Sequence, residues 1–319
     1  MKLGMQVMTR GSMAAPGGMA SVASTAERLG YDIAAVNDHL AVPRVIDSPY
    51  PYTDSGEWPG KVFGECFDVL TAIAYLAGVT DRLRLLSSVM VVPYRPALLT
   101  AKMLATADVL SAGRLIVGVG VGWMAEEFAA VGAPDFSERG RVTDEQLAAW
   151  KTLWTQDAPA HEGAHVRFSG ISFEPKPVQK PHPPIWIGGE SKAALRRTVA
   201  HADGWFPASN NPKRRLDTVA RLAGGIAELR AMAEQAGRDP GSIEIAYIAT
   251  WPVHWQAQSM PEGGRRLLTG AAPDLAADLA ALARIGVSTT ILTFQTPDLN
   301  ETLDRMHRFA AEVMPLVAR

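Results

Sequence analysis

The chain has 319 residues, of which 47% are hydrophobic and 20% charged, and its formal net charge is −2. This balance gives no electrostatic field that would attract nucleic acid or an anionic membrane, so neither partner is expected. The only cysteine, Cys66, excludes an internal disulfide framework and a metal site built on several thiolates. No segment has the length of a spanning helix or the pattern of a signal peptide, and we therefore expect a cytoplasmic protein.

Short β-branched runs alternate along the chain with longer amphipathic runs. The predicted strands are residues 2–7, 32–37, 83–90, 115–120, 184–189, 203–207, 243–250 and 288–294. The predicted helices include residues 19–30, 68–78, 97–113, 143–154, 192–202 and 212–237. Strands that are each followed by a helix predict one closed parallel sheet, a (β/α)8 TIM barrel that forms a single domain over residues 1–319. The competing doubly wound open sheet usually has fewer strands.

Two segments are longer than a minimal connection between strand and helix. Residues 40–66 are rich in Pro, Tyr and Gly, and residues 157–183 contain HVRFSGISF, which predicts a β-hairpin. Long insertions in a barrel are usually functional loops. We expect them at the C-terminal mouth, where the catalytic residues of such barrels lie.

The stretch LIVGVGVGW contains three glycines, Gly118, Gly120 and Gly122, and so resembles a dinucleotide-binding loop. That fingerprint requires a glycine five positions after the first, where this chain has Trp123. The following residues also have a helical pattern instead of a second strand. The dinucleotide interpretation is therefore disfavoured, and the glycines are predicted to serve the end of a barrel strand.

His39 is the main candidate for acid–base chemistry. It follows the second predicted strand in NDHL, so its imidazole should project into the barrel mouth, where it can donate or accept a proton. The adjacent Asp38 is predicted to fix the tautomer of His39. The alternative, that His39 only closes the strand through a backbone hydrogen bond, stays open.

The sequence contains no H-E-x-x-H motif, no paired metal-ligand spacing and no G-x-S-x-G elbow. It therefore predicts no metal site, and it indicates that a bound cofactor supplies the chemistry. After the fifth strand, GGESKAALRR places two glycines and a serine at the start of a helix. The free backbone N–H groups there favour a phosphate group, although the same residues also suit an ordinary helix cap.

Together these features resemble the bacterial luciferase-like family of flavin and deazaflavin oxidoreductases. The segments that carry the resemblance lie within residues 1–206 and are AERLGYDIAAVNDHL, SSVMVVPYRPALLTAKMLATADVLSAGRLIVGVGVGWMAEEF, ERGRVTDEQLAAWKTLW and QKPHPPIWIGGESKAALRRTVAHADGW. Members of this family are (β/α)8 barrels, usually dimeric, that bind FMN or coenzyme F420. The resemblance implies the same fold, a homodimer and one of these cofactors.

The resemblance also implies a set of site residues. The glycines after the fourth strand would approach the cofactor ring, a cis peptide bond between Ser88 and Val89 would support it, and His39 would handle a proton. The implied catalytic residue is His39, and the implied cofactor-binding residues are Asp38, His39, Ser88, Val89, Met90, Gly120, Val121, Gly122, Trp123, Gly188, Gly189, Glu190 and Ser191.

Trp123 departs from part of the family. Some sugar-phosphate dehydrogenases of the family have a glutamate there that is thought to act as an acid, so that reaction is in doubt for this chain. An aromatic side chain at this position favours a more apolar substrate. Its candidate neighbours in the loops are Tyr50, Tyr52, Trp58, Trp251 and Trp255, each of which could also simply pack an insertion.

Three functions stay open. The favoured one is an F420-dependent oxidoreductase that transfers hydride between the deazaflavin and a small, fairly apolar organic substrate, because GVGVGW and RGRVTDEQ look like deazaflavin members. The alternatives are an FMN-dependent two-component monooxygenase, for which a separate flavin or F420 reductase supplies reduced cofactor, and a non-catalytic flavin-binding barrel. Lys192, Arg196 and Arg197 are predicted to face the anionic tail of F420, or else to solvate the outer face of their helix.

Overall fold

A computed structural model describes residues 1–15, 17–62 and 66–317 of the chain. Its strands are β1 (Lys2–Val7), β2 (Ile33–Val36), β3 (Arg84–Ser87), β4 (Met90–Val91), β5 (Leu115–Gly120), β6 (His161–Glu162), β7 (Arg167–Phe168), β8 (Ile185–Gly188), β9 (Gly204–Phe206), β10 (Glu244–Ile248) and β11 (Thr289–Leu292). The parallel order β3-β2-β1-β11-β10-β9-β8-β5 closes on itself because β3 also pairs with β5, and β4 continues the edge along β5. The predicted (β/α)8 barrel is confirmed.

The helices surround this barrel. They are α1 (Gly18–Leu29), α2 (Val69–Val79), α3 (Ala97–Leu110), α4 (Ala125–Ala130), α5 (Arg139–Thr155), α6 (Lys192–His201), α7 (Val219–Gln235), α8 (Ala272–Arg284) and α9 (Leu299–Glu312). Each barrel strand is followed by at least one of them, as the sequence pattern predicts. In the part of the chain that the structure describes, no helix is both long and apolar enough to cross a membrane.

Side chains from alternate positions of the strands fill the barrel interior. This inner cluster consists of Ile33, Ala35, Leu86, Ile116, Trp186, Phe206, Ala208, Ala246, Ile248 and Ile291. Trp186 is its largest member, and a Cβ added at Gly204 would lie 2.5 Å from the Trp186 Cδ1 atom. The lumen is therefore a packed core and not a channel.

The helix predicted over residues 212–237 begins later, at Val219. The side chain of Thr218 caps it by accepting a hydrogen bond from the Arg221 N–H at 3.2 Å. Before the cap, the Leu216 N–H donates to the Ser209 carbonyl at 2.8 Å, and Arg214 pairs with Glu228. These tertiary contacts override the helix propensity of the basic residues in this segment.

The predicted β-hairpin exists, but its turn lies earlier than HVRFSGISF suggests. Strands β6 and β7 pair antiparallel, so the turn falls at residues 163–166 and residues 169–173 are not a strand. The cause is Glu145 on α5, whose Oε1 accepts the backbone N–H groups of His165 at 2.8 Å and Val166 at 2.6 Å. A side chain distant in sequence thus sets the register.

The insertion after β2 lies at the C-terminal mouth, as predicted. On one side, Glu126 Oε1 of α4 accepts the backbone N–H groups of Asp47 and Ser48, both at 2.9 Å. On the other side, Asn210 Nδ2 donates to the Tyr52 carbonyl at 2.7 Å. The insertion is therefore attached both to the loop region after β5 and to the loop region after β9.

Candidate active site

His39 follows β2 at the mouth, and its ring is held by a buried carboxylate. Its Nδ1 atom lies 2.7 Å from Glu127 Oε2, and Glu127 has no exposed surface. The same carboxylate accepts the backbone N–H groups of Leu40 at 2.7 Å and Ala41 at 3.1 Å, and the Tyr94 hydroxyl at 2.9 Å. An ionised carboxylate can only accept, so Nδ1 carries a proton and Nε2 is the nitrogen left for a ligand.

The charge of this carboxylate is stabilised by its donors. Burial by itself would raise the pKa of Glu127, but hydrogen bonds from His39, Ala41 and Leu40 outweigh burial and hold that pKa below its ordinary value. Burial and the neighbouring Glu127 charge raise the pKa of Tyr94, so its hydroxyl stays protonated and donates. Glu127 is therefore a fixed anion that orients the imidazole of His39.

The prediction that Asp38 fixes the tautomer of His39 is wrong. Asp38 accepts two hydrogen bonds from Arg95, both at 2.8 Å, and a third from the Val91 N–H at 2.9 Å. Arg95 also binds Asp68 at 2.6 Å. Because successive side chains of extended backbone point to opposite sides, Asp38 faces this buried ion cluster while His39 faces Glu127.

Two aromatic rings lie beside the imidazole of His39. The ring of His39 lies 4.7 Å from Trp58 and 6.5 Å from Trp123, measured between centroids. Trp123 also meets Tyr50 at 5.1 Å, and Tyr50 meets Tyr52 at 5.5 Å. Tyr50, Tyr52, Trp58 and Trp123 are called the aromatic mouth below.

The other two predicted neighbours have different partners. Arg266 lies 5.3 Å from the ring of Trp251, and Arg308 lies 4.6 Å from the ring of Trp255. Within the described chain neither ring contacts the aromatic mouth. Trp251 therefore packs within the segment after β10, and Trp255 packs that segment against α9.

Val89 lies between the C-terminal ends of β5 and β8. The peptide bond between Ser88 and Val89 is cis, which confirms the prediction for this bond. A Cβ added at Gly120 would lie 2.8 Å from one methyl of Val89, and a Cβ added at Gly188 would lie 2.9 Å from the other. Both glycines therefore leave room for Val89, and Met90 is buried directly after it.

The glycines of GVGVGW serve the end of a barrel strand, so the dinucleotide interpretation is excluded. A Cβ added at Gly118 would lie 2.0 Å from the Ser87 carbonyl oxygen, which shows how closely β5 packs on β3. Gly122 has φ of 83° and turns the chain towards Trp123. The three glycines thus have packing and turning roles.

A cleft of about 330 Å³ opens between the ends of β5 and β8 and the first turns of α5 and α6. Among the predicted cofactor-binding residues its lining includes Gly120, Val121, Gly188, Gly189 and Ser191, and it further includes Ser137, Arg139, Gly140 and Arg197. Ser191 Oγ accepts from the Ala194 N–H at 3.1 Å and so caps α6. The preceding N–H groups of the helix have no intrahelical acceptor, and they favour an anion in this cleft.

The side chain of Glu190 turns away from the cleft. Its Oε1 accepts the Ala208 N–H at 2.8 Å, and its Oε2 accepts from Asn211 Nδ2 at 2.9 Å. Burial raises the pKa of Glu190, and these two hydrogen bonds oppose that rise. The side chain therefore fastens the loop after β9, and its backbone alone adjoins the start of α6.

Arg197 does not have the freedom that contact with a cofactor tail would require. It is only 8% exposed, pairs with Asp144, and donates to the Gly140 carbonyl at 3.1 Å. Lys192 and Arg196 are exposed on α6. Of the three cations that were predicted to face the cofactor tail, Lys192 and Arg196 are therefore the two that are exposed to solvent.

The buried polar atoms without a hydrogen-bond partner among the described residues include the donors Asn37 Nδ2 and Arg139 Nε. Asn37 continues the inward-facing positions of β2, and its Oδ1 accepts the Thr9 N–H at 2.9 Å. Because buried donors are rarely left unpaired, both atoms fit a ligand that brings acceptors, such as ring carbonyl and phosphate oxygens. In the described ranges no group of three or more His, Cys, Asp or Glu side chains could hold a metal ion.

Comparison with known proteins agrees with this architecture. Residues 1–260 match the profile of the luciferase-like monooxygenase family, and the chain belongs to that family. An uncharacterized protein of Mycobacterium tuberculosis is 36% identical over 228 residues, which cover 70% of this chain and 74% of that protein. The FMNH2-dependent dimethylsulfone monooxygenase of Pseudomonas putida is 35% identical over 164 residues, covering 51% of this chain and 43% of the enzyme.

A solved structure shows the same fold over the whole chain. An F420-dependent secondary alcohol dehydrogenase, in complex with an F420–acetone adduct, matches with a TM-score of 0.76 and covers 100% of this chain and 99% of its own. The sequence identity is 16%, so this likeness shows the fold alone. The proteins that this chain resembles thus include an FMNH2-dependent enzyme in sequence and an F420-dependent enzyme in fold.

Proposed function

We propose that the protein is an oxidoreductase that binds coenzyme F420 at the barrel mouth and acts on a small, fairly apolar organic substrate. The observation that carries the proposal is the 2.7 Å contact between His39 Nδ1 and Glu127 Oε2, which directs the opposite nitrogen of the imidazole to the mouth. When bound, the deazaflavin supplies hydride transfer. His39 Nε2 gives or takes the accompanying proton of the substrate.

The residues that would hold the cofactor lie on two sides of the mouth. Val89, between Gly120 and Gly188, would support the ring, and Asn37 Nδ2 would donate to an acceptor on it. The first turn of α6, after Gly189, would bind the phosphate through backbone N–H groups. Asn37 Nδ2 and the first N–H groups of α6 are donors for which the described residues supply no acceptor.

The aromatic mouth would bind the substrate. Trp123 packs against Tyr50 and Trp58, so aromatic rings form this side of the site. Position 123 therefore supplies no carboxylate. Apolar walls with few polar groups favour a substrate of similar character and exclude water from the reacting groups. We therefore propose a small ketone or alcohol with an apolar body as the substrate class.

F420 is favoured over FMN because positively charged side chains lie close to the proposed phosphate site. Lys192 and Arg196 are exposed on α6, and the tail of F420 is anionic. The second candidate is an FMN-dependent two-component monooxygenase, which the 35% identity to the Pseudomonas putida enzyme favours. In that case a separate flavin reductase would be a partner.

We further propose that the protein forms a homodimer through the outer faces of α2 and α3. These neighbouring helices expose Tyr75, Leu98, Leu99 and Leu110. Exposed apolar side chains of this size on adjacent elements are typical of an interface. The resemblance to usually dimeric proteins supports a dimer, whereas the choice of α2 and α3 rests on their exposed side chains alone.

The role of His39 is tested by His39→Ala, with His307→Ala on an exposed face of α9 as the control. A panel of small ketones and secondary alcohols is assayed with oxidised and reduced F420. We expect kcat to fall by about 10² to 10⁴ in the His39 variant, while the Kd of the cofactor stays within about twofold. An unchanged kcat would remove His39 from the mechanism.

A further inference from the structure

Residues 41–57 of the insertion, called the rim loop below, form one wall of the aromatic mouth without a buried residue of their own. This described segment contains no helix or strand, and each of its residues keeps some exposed surface. It nevertheless supplies the rings of Tyr50 and Tyr52. A segment with few buried contacts is of the kind that opens locally while the rest of a fold stays intact.

Both ends of the rim loop are fixed close to His39. At its start, Glu127 Oε1 accepts the Ala41 N–H at 3.1 Å. Just after its end, Trp58 is only 7% exposed, and its ring lies 4.7 Å from the imidazole. A loop whose ends lie side by side can move as a whole without displacing the residues beyond them. Movement of the rim loop can therefore leave His39 in place.

Hydrogen bonds within the rim loop join residues 50–57 into one unit. The Tyr50 N–H donates to the Gly56 carbonyl at 2.7 Å, and Thr53 Oγ1 donates to the Glu57 carbonyl at 2.8 Å. Neither bond involves the barrel. Both are therefore kept if the loop moves away from it.

Two polar side chains anchor the rim loop, one on each side. Glu126 Oε1 accepts the Asp47 and Ser48 N–H groups, both at 2.9 Å. Asn210 Nδ2 donates to the Tyr52 carbonyl at 2.7 Å. In each anchor the second polar atom, Glu126 Oε2 or Asn210 Oδ1, is buried without a partner among the described residues. A buried acceptor without a donor destabilises the state that buries it, so access of water to these atoms would favour an open loop.

The remaining attachments are an ion pair and a ring contact. Arg215 Nη2 binds Asp54 Oδ1 at 2.6 Å, but the Asp54 side chain is 75% exposed. Exposed ion pairs contribute little to stability because water and salt screen the charges. The ring contact joins Tyr50 to Trp123 at 5.1 Å between centroids. Separation of these two rings would open the aromatic mouth.

We propose that the rim loop is a lid over the active site that opens as one unit by leaving Glu126 and Asn210. Opening separates Tyr50 from Trp123 and admits the substrate. Closing restores the aromatic mouth and excludes water from the reacting groups. The role in substrate entry rests on the proposed function, whereas the movement itself does not.

Hydrogen exchange tests the movement in the absence of cofactor and substrate. The wild type is compared with Asn210→Asp by mass spectrometry on peptides that cover Asp47 and Ser48. Aspartate has nearly the size of asparagine but no side-chain N–H, so it cannot donate to the Tyr52 carbonyl. If the loop opens as a unit, the Asp47 and Ser48 amides should exchange about 10- to 100-fold faster, although their own acceptor, Glu126, is unchanged. Exchange in β2 should stay at the wild-type rate.

The matched control is Asn300→Asp, which makes the same change on an exposed residue of α9. It should leave exchange in the rim loop unchanged. Faster exchange around Tyr52 alone in Asn210→Asp would show that the loop does not move as a unit. Exchange in the wild-type rim loop as slow as in β2 would show that it is a fixed wall. Either result overturns the inference.

The wild type is decisive if Asn210→Asp also speeds exchange in β2. Opening of a loop exposes little surface, so low urea should hardly change the exchange rate of the rim loop, whereas exchange in β2 should accelerate steeply. Equal urea dependence in the two segments would overturn the inference. A wild type whose rim loop opens but which binds neither F420 nor FMN would support the movement and exclude the proposed function.

Discussion

His39 Nδ1 and Glu127 Oε2 lie 2.7 Å apart, although 88 positions separate the two residues in the sequence. The contact joins the loop after β2 to α4 and sets which imidazole nitrogen faces the mouth. A buried carboxylate that accepts a hydrogen bond from an imidazole fixes the orientation of the ring and makes its other nitrogen more basic. The first two predictions follow from this pair.

Replacing Glu127 by Gln should disturb the imidazole without removing it. The carboxylate accepts hydrogen bonds at both oxygens, whereas the glutamine amide has one accepting oxygen and one donating nitrogen. The amide therefore cannot accept from the imidazole, the Tyr94 hydroxyl and two backbone N–H groups at once, as Glu127 does. We expect kcat to fall by about 10- to 100-fold with an unchanged cofactor Kd. Nitrogen NMR of His39 should also show loss of the Nδ1-protonated tautomer.

The control for this variant is Glu162→Gln, on a side chain that is 80% exposed. It should have wild-type kcat and an unchanged His39 spectrum. If Glu127→Gln shows wild-type kcat and the same tautomer, Glu127 does not position His39.

The same carboxylate predicts a pH dependence of stability. Because hydrogen bonds hold the pKa of Glu127 below its ordinary value of 4.5, its ionised form stabilises the folded state. That contribution is fully present above the pKa of the unfolded chain and is lost as the pH falls through the lower folded-state pKa. Denaturant unfolding should therefore show a stability difference between wild type and Glu127→Gln that is present above about pH 4.5 and shrinks as the pH falls below it. A difference independent of pH would contradict this assignment.

Packing at the glycines gives a prediction about stability. In Gly118→Ala the new Cβ would lie 2.0 Å from the Ser87 carbonyl oxygen, so β5 and β3 must separate. We expect a loss of about 1–3 kcal/mol or more in the free energy of unfolding. Gly224→Ala is the control, since nothing lies within 4 Å of its added Cβ in α7, and it should be neutral or stabilise by up to about 1 kcal/mol. Equal urea midpoints for the two variants would be inconsistent with the close strand packing.

The proposed dimer predicts the effect of a charge on α3. Leu99 is 54% exposed, and Leu99→Glu would place a carboxylate in an apolar contact between subunits. Sedimentation should show a dimeric wild type and a largely monomeric variant. Val45→Glu, on an exposed part of the insertion, should stay dimeric. A wild-type monomer, or a dimer that tolerates Leu99→Glu, would exclude this interface.

The sequence predicts the barrel well because the strands are short, β-branched and separated by helical periods. It also predicts His39, since a residue that follows a barrel strand reaches the mouth whatever its partners are. It misses Glu127, whose partner is remote. A signal was nevertheless present: Met124, Glu127, Phe128 and Val131 share one helical face, so an acid stands among apolar positions.

Other details of the fold depend on contacts between residues distant in sequence, which a local sequence pattern does not record. The hairpin turn is set by Glu145 of α5, and the late start of α7 by the Leu216 contact with Ser209. In each case the deciding partner is distant in sequence, and local propensity carries no information about it.

The preference of the protein for F420 over FMN is measured by comparing the binding of the two cofactors. Exposed cations such as Lys192 and Arg196 contribute only about 0–1 kcal/mol each, so the preference for F420 can be as small as about tenfold and should weaken with salt. Purified protein is titrated by fluorescence with F420 and with FMN at low and at high salt. We expect a lower Kd for F420, with a ratio that narrows at high salt. An FMN Kd equal to or lower than that of F420 at both salt concentrations would contradict the claim and favour the two-component monooxygenase.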